Sequence, residues 1–264
     1  MWQSRFVLSC FARIVRSTVM VDRGYRFFDR LRSRWVLACA PDAFYDVYND
    51  LTYSRQPVYR PDTPNFRSKL FAFEERAFAE FFPPPPGPVL IGAAGGGREA
   101  FALARRGYRV VAFEPARSVA NSMVRARGEY PIETLLGRYE DLPVVTSLTE
   151  PPVPVDLLSR APFAAAIMGW VSFSHLRSDE RCIDTLRQIG HLTNGPILVS
   201  AHPGDNSIGF AVAMGYYRGL SSAAIGALAE RAGLAVVHLD EGDNWPYAVL
   251  RANSAAVSQI RAAM

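Results

Sequence analysis

The segment VLIGAAGGGREAFALARRGYRVVAFEPA, Val89 to Ala116, constrains this chain more than any other. It reads as an apolar strand, a turn of small residues, a short helix stopped by Gly107, a second apolar strand and a closing acid, Glu114. A strand that returns to a parallel neighbour through a helix must make a crossover on one face of a sheet. Glycines suit the turn because the backbone there bends tightly, with positive φ at some positions, and a ligand can approach it within van der Waals distance.

The pattern continues to the end of the chain. Strands are expected at 88–94, 109–115, 132–136, 163–170 and 196–202, with helices in the gaps, and a closing pair at 235–241 and 246–253. Ser178-Asp179-Glu180 opens one of the helices with an N-cap and two acids at its positive end. The last two strands are joined by Gly242-Asp243-Asn244-Trp245, short enough for an antiparallel hairpin. The fold class is therefore α/β: a doubly wound, mostly parallel, seven-stranded sheet with a closing antiparallel hairpin. The stretch 143–162 is proline-rich and lacks a clear period, and no internal repeat is visible.

Upstream, KLFAFEERAFAEFF (69–82) spaces Leu70, Phe73, Ala77 and Phe81 as an amphipathic helix, and PPPPGP at 83–88 stops it. The expected division is a helical N-terminal extension over 1–82 and a ligand-binding domain over 83–264. Residues 40–66, rich in Tyr, Pro, Asp and Asn, suit a lid over the site. The formal charge of +4 comes from the first forty residues, where eight arginines face only Asp22 and Asp29. The remainder is slightly acidic and lacks the footprint of a nucleic-acid binder. Arg13, Arg16, Arg23, Arg30 and Arg34 share a helical face, which fits a solvated basic cap, a peripheral membrane contact or a targeting segment. No run approaches the ~18 apolar residues of a spanning helix. Cys10, Cys39 and Cys182 are odd in number and widely spaced, so a reducing, cytoplasmic setting is expected and no metal site.

On the residues of Val89–Ala116 the sequence resembles the class I S-adenosylmethionine-dependent methyltransferases. Ala93-Ala94-Gly95-Gly96-Gly97 stands where that family has its GxGxG turn, and Glu114 where an acid accepts both ribose hydroxyls. GRYEDLP (137–143) resembles the segment that lies along the adenine, and AAIMGWVSFSHL (165–176) the fourth-strand motif. The resemblance implies S-adenosyl-L-methionine as cofactor, held by Gly92, Ala93, Ala94, Gly95 and Gly97, by Glu114 and Pro115, by Glu140, Asp141 and Leu142, and by Met168, Gly169 and Trp170. Two positions depart from the family pattern. Ile91 stands where an acid commonly precedes the first glycine, and Arg138 where an aspartate is frequent; Glu99, Glu140 and Asp141 are candidate replacements.

For chemistry, His175 follows the fourth expected strand on the ligand-bearing edge and is the candidate general base; His202 ends the fifth on the same edge. Tyr48, Tyr53, Tyr59 and Tyr217, with His202, are candidates to wall an acceptor pocket. The expected acceptor is a small molecule; in the resembling families an Asn-Pro-Pro-Tyr-like tetrapeptide after the fourth strand goes with methylation of base or amide nitrogens, and Met168-Gly169-Trp170-Val171 stands there instead, so the resemblance implies oxygen somewhat ahead of nitrogen. Monomer and homodimer both remain open. Two other readings compete. Gly95, Gly97 and Ala100 formally satisfy the G-x-G-x-x-A of an NAD(P)-dependent oxidoreductase, although Glu99 would repel a pyrophosphate. A non-catalytic binding or scaffold protein could keep this fold with Ile91 and Arg138 as signs of altered ligand contacts.

Overall fold

A computed structural model describes residues 59–61, 66, 69–176, 178–203, 218–242 and 245–252. The basic N-terminal stretch lies outside these residues, as do Tyr48, Tyr53 and Tyr217. In chain order the elements are α1 (Ala72–Phe81), β1 (Pro88–Gly92), α2 (Arg98–Ala104), β2 (Arg109–Glu114), α3 (Arg117–Ala126), β3 (Ile132–Leu136), β4 (Val144–Thr146), β5 (Pro154–Asp156), β6 (Ala165–Met168), α4 (Asp179–Leu192), β7 (Pro196–Ser200), α5 (Ser222–Arg231), β8 (Leu234–Asp240) and β9 (Tyr247–Ala252). Single helical turns lie at Tyr139–Asp141, Leu157–Arg160 and Ser172–His175.

Among the described residues one sheet has the order β5-β4-β3-β2-β1-β6-β7-β9-β8. Strands β3, β2, β1, β6 and β7 are parallel, while β9 runs antiparallel to β7 and to β8. The chain builds outward from β1 to β3, then crosses back to start β6 on the other side of β1. That reversal makes the carboxyl ends of β1 and β6 the topological switch point, where open α/β sheets leave a crevice for ligands.

Side chains on successive strand residues point to opposite faces, and this alternation builds two cores. Leu90, Phe113, Ala166, Met168, Ile197 and Leu250 face Ile183, Leu186 and Ile189 of α4 and Ile225 and Leu228 of α5. Val89, Ile91, Val110, Ile167, Leu198 and Val249 face α1, α2 and Met123 of α3. Both faces are covered, which is why the central strands read as unbroken apolar runs. The seven expected strands are all present. Two more, β4 and β5, extend the sheet beyond β3 as a hairpin within 143–162. Each has only three residues, and prolines interrupt the pattern, so no period-2 signal is visible there. Pro154 sits on the outermost strand, where a missing N–H costs no ladder bond.

Helix α1 is docked by a buried ion pair as well as by apolar packing. Phe73, Ala77 and Phe78 enter the core, and Glu74 on the same face is buried with them. Its carboxylate accepts two hydrogen bonds from Arg98, at 2.7 and 2.6 Å, and one from the Phe71 amide at 2.7 Å. Burial lifts the Glu74 carboxyl to about 7 against the opposing pull of Arg98. By contrast, the Arg106–Glu75 pair one position along is exposed. Removing Glu74 leaves the buried Arg98 with Glu99 as its remaining carboxylate, whereas an exposed pair contributes little. Glu74→Ala is expected to cost about 3 kcal/mol in urea denaturation and Glu75→Ala under about 1 kcal/mol; equal effects would show that α1 is held by apolar contacts alone.

Candidate functional site

The turn between β1 and α2 carries three left-handed residues at alternate positions: Ala93 (φ 49°), Gly95 (φ 56°) and Gly97 (φ 85°). Two of them are the glycines such a backbone favours. Ala93 carries a Cβ in the same region, which costs about 1–2 kcal/mol. Space is tight around the turn. A Cβ on Gly169, just after β6, would come within 2.4 Å of the Ala93 carbonyl oxygen, and the Gly169 amide donates to the Gly92 oxygen at 2.8 Å. The turn and the end of β6 are therefore in backbone contact, with no side chain between them.

Glu114 at the end of β2 is buried and locked onto this turn. One carboxylate oxygen accepts from the Gly95 amide at 2.8 Å and the other from the Ala116 amide at 3.0 Å. These two backbone donors fix the orientation of the carboxylate. Pro115 beside it is exposed and offers no amide hydrogen.

Tyr139 lies beneath the turn and was not among the residues singled out from sequence. Its hydroxyl donates to the Gly92 oxygen at 3.0 Å and shares a 2.6 Å hydrogen bond with Ser172 Oγ, while a Cβ on Gly92 would strike its ring at 2.5 Å. Burial raises its phenol pKa well above the ordinary tyrosine value, so it stays neutral. In the same segment Asp141 accepts from the Arg138 amide at 2.8 Å, Glu140 is exposed near Arg181, and Leu142 is in the core. Asp141 thus closes its own turn, and the Leu142 side chain packs inward.

Ile91 faces the α1–α2 core and is completely buried, so the acid expected there by family pattern has no counterpart on β1. A carboxylate arrives from α2 instead. Glu99 is buried, accepts from the Trp170 amide at 3.1 Å and pairs with Arg98 at 2.7 Å. Although burial opposes its charge, Arg98 is held above its ordinary pKa by Glu99 and Glu74, and its guanidinium lies 3.9 Å over the Phe71 ring. One network thus joins α1, α2 and the residue following β6.

A second cluster sits beyond β6 and β7. The Trp170 ring lies 5.1 Å from Phe71 and 5.0 Å from Trp245, and Trp245 lies 5.5 Å from the His202 ring. Met168 sends its side chain into the opposite core. Burial and the nearby His202 push His175 down to about 4, and burial alone pushes His202 down to about 4. Both imidazoles are neutral near pH 7, the form that accepts a proton. Among the described residues no group of three or more His, Cys, Asp or Glu side chains could hold a metal ion, and no helix is long and apolar enough to cross a membrane.

No family model and no curated protein matches the chain. Solved structures do. A methyltransferase dependent on S-adenosylmethionine, from Aquifex aeolicus, superposes with a TM-score of 0.53 at 16% identity, over 72% of this chain and 93% of that one. The CcbJ methyltransferase of Streptomyces caelestis gives 0.51 at 17%, over 68% and 96%. An O-methyltransferase of neocarzinostatin biosynthesis, solved with S-adenosyl-L-homocysteine and a dihydroxynaphthoic acid, gives 0.51 at 17%, over 80% and 59%. The chain has the class I methyltransferase fold.

Within the methyltransferase fold the sequence candidates divide into groups. Gly92, Ala93, Ala94, Gly95, Gly97, Glu114, Gly169 and the Trp170 backbone converge at the ends of β1, β2 and β6. His175 and His202 gather beyond β6 and β7. Tyr59, expected at an acceptor pocket, lies instead on the glycine turn: its backbone oxygen comes within 2.2 Å of a Cβ built on Gly96 and its ring within 3.4 Å of one built on Gly95. Glycine at position 96 is what lets the N-terminal segment rest there. Tyr139 was legible only as part of GRYEDLP, since its partners are 47 and 33 residues away.

Relief of the left-handed strain makes Ala93→Gly a stabilising substitution, by a net ~0.5–1 kcal/mol once the unfolded-state entropy of glycine is subtracted. A fall in melting temperature would show that the Ala93 methyl makes a compensating contact. The two histidines set a pH dependence. Unfolded imidazoles protonate near 6.5 and the folded ones only near 4, so between these values the unfolded chain binds more protons and stability falls as pH is lowered. Thermal denaturation from pH 7 to 4.5 checks this, and His175→Gln with His202→Gln should flatten the slope.

Proposed function

We propose that this protein is a methyltransferase that binds S-adenosyl-L-methionine across the glycine turn and transfers its methyl group to a small molecule. The observation that carries the reading is the alternation of left-handed residues at Ala93, Gly95 and Gly97 beside the locked Glu114 carboxylate. Gly92, Ala94 and Gly97 shape the turn, Glu114 would accept the ribose hydroxyls, and Pro115 follows it at the rim. Glu140, Asp141 and Leu142 border the adenine side, the first two through polar groups and Leu142 through its backbone. Met168, Gly169 and the Trp170 backbone complete the methionine side, with Glu99 supplying the carboxylate that Ile91 does not. The fold resemblance to an O-methyltransferase of neocarzinostatin biosynthesis supports the same reading.

The bound cofactor supplies a methyl on a sulfonium, open to in-line attack. The protein's part is to position the acceptor, exclude water and hold any proton the nucleophile loses. His175 is the proposed base, with His202 at the same acceptor edge, and oxygen is proposed over nitrogen as the acceptor atom. Tyr48, Tyr53 and Tyr217 are proposed as further walls of that pocket. The N-terminal extension, of which Tyr59 touches the turn, would act as the lid. A second reading, a non-catalytic protein that keeps the fold, draws on Ile91 and on Tyr59 lying against Gly96.

Calorimetric titration separates these readings. S-adenosylmethionine and S-adenosylhomocysteine are expected to bind with micromolar affinity, and Glu114→Gln to weaken both by roughly tenfold or more, the scale of one lost charge-assisted contact. NAD and NADP run in parallel should not bind. Absence of sulfonium-cofactor binding would remove the methyltransferase assignment.

A further inference from the structure

The opposite end of the sheet has a groove that the proposed reaction does not use. It holds about 550 Å³ at the amino ends of β1, β2 and β3, between Pro88, Arg109 and Ile132 and the Leu157–Arg160 turn. The glycine turn lies at the other end of β1, roughly 13 Å away along the strand. Val111, on the β2 strand that lines the groove, is only partly buried.

Its chemistry is cationic above an apolar floor. Arg109, Arg127 and Arg160 line it against Glu133 alone. Arg160 pairs with Glu133, and Arg127 is held at the rim by donating to the Ile132 carbonyl at 2.9 Å. Arg109 is exposed at the start of β2, and its guanidinium makes no hydrogen bond or ion pair among the described residues. Three guanidiniums around one concavity match phosphate oxygens, because each presents a planar fork of donors. Val111 and Phe163 form apolar lining, and Tyr130, 40% exposed, lines the groove as well. An exposed aromatic residue beside a cationic rim suits a flat heterocycle carrying phosphates.

We propose that this groove is a binding site for a nucleoside phosphate, separate from the glycine-turn site. The volume lies within the range of small-molecule pockets, and the net positive lining selects anions over neutral nucleosides. The proposal does not depend on the methyltransferase reading.

The test uses the full-length protein and ADP as probe in calorimetry, with adenosine and inorganic tripolyphosphate as separate arms. ADP should bind, adenosine should not, and tripolyphosphate should bind more weakly than ADP. Arg109→Gln should weaken ADP about tenfold, and Arg109→Glu further, the scale of one lost charge-assisted bond. Arg109 is exposed, so both variants should keep the wild-type melting temperature. Glu114→Gln should leave ADP affinity unchanged, which separates this groove from the glycine turn. No ADP binding, ADP binding insensitive to Arg109, or binding lost in Glu114→Gln would overturn the site. Equal affinity for ADP and tripolyphosphate would overturn the role given to the ring.

Discussion

The hydrogen bond from the Gly95 amide to the Glu114 carboxylate is the contact around which the candidate site is organised. It ties the turn after β1 to the end of β2, and the same carboxylate reaches forward to the Ala116 amide ahead of α3. The alternating left-handed residues put the turn's amides in reach of that carboxylate, and Tyr139 holds the turn from below through the Gly92 carbonyl. A buried carboxylate keeps its place only while its partners do. The shape of the turn and the position of the acid therefore stand or fall together.

The second organising element is the chain of charge from Glu74 through Arg98 to Glu99 and on to the Trp170 amide. It makes α1 part of the methyltransferase-fold domain physically, although α1 lies before the proline run. It also places a carboxylate next to the end of β6 without using β1, whose residue 91 is committed to the apolar core.

Beyond β6 and β7 the environment changes from buried charge to aromatic rings and neutral imidazoles. Desolvation disfavours charge on both histidines, so both stay neutral at pH 7. The two halves of the crevice thus differ in chemistry. One presents backbone groups and carboxylates, and the other presents aromatic rings and neutral imidazoles.

The central strands, their order of appearance, the closing hairpin and the glycine turn were legible in the sequence, because a strand buried on both faces must be apolar throughout and a left-handed turn selects glycine. The β4–β5 hairpin was not, since three-residue strands among prolines carry no period. Glu74 read as an ordinary polar position on α1, and Tyr139 as one residue of an adenine-side segment. His175 and His202 were visible singly, at the ends of successive expected strands. What the sequence determined by itself was local: backbone preference, burial on two faces, and the residue types at the edge of the sheet. What only the tertiary structure decided was pairing over long separations: Tyr139 with Gly92, Glu74 with Arg98 and Tyr59 with Gly96. Those contacts follow from how strands are ordered across the sheet, and hydrophobic periodicity along the chain carries no information about which strands become neighbours.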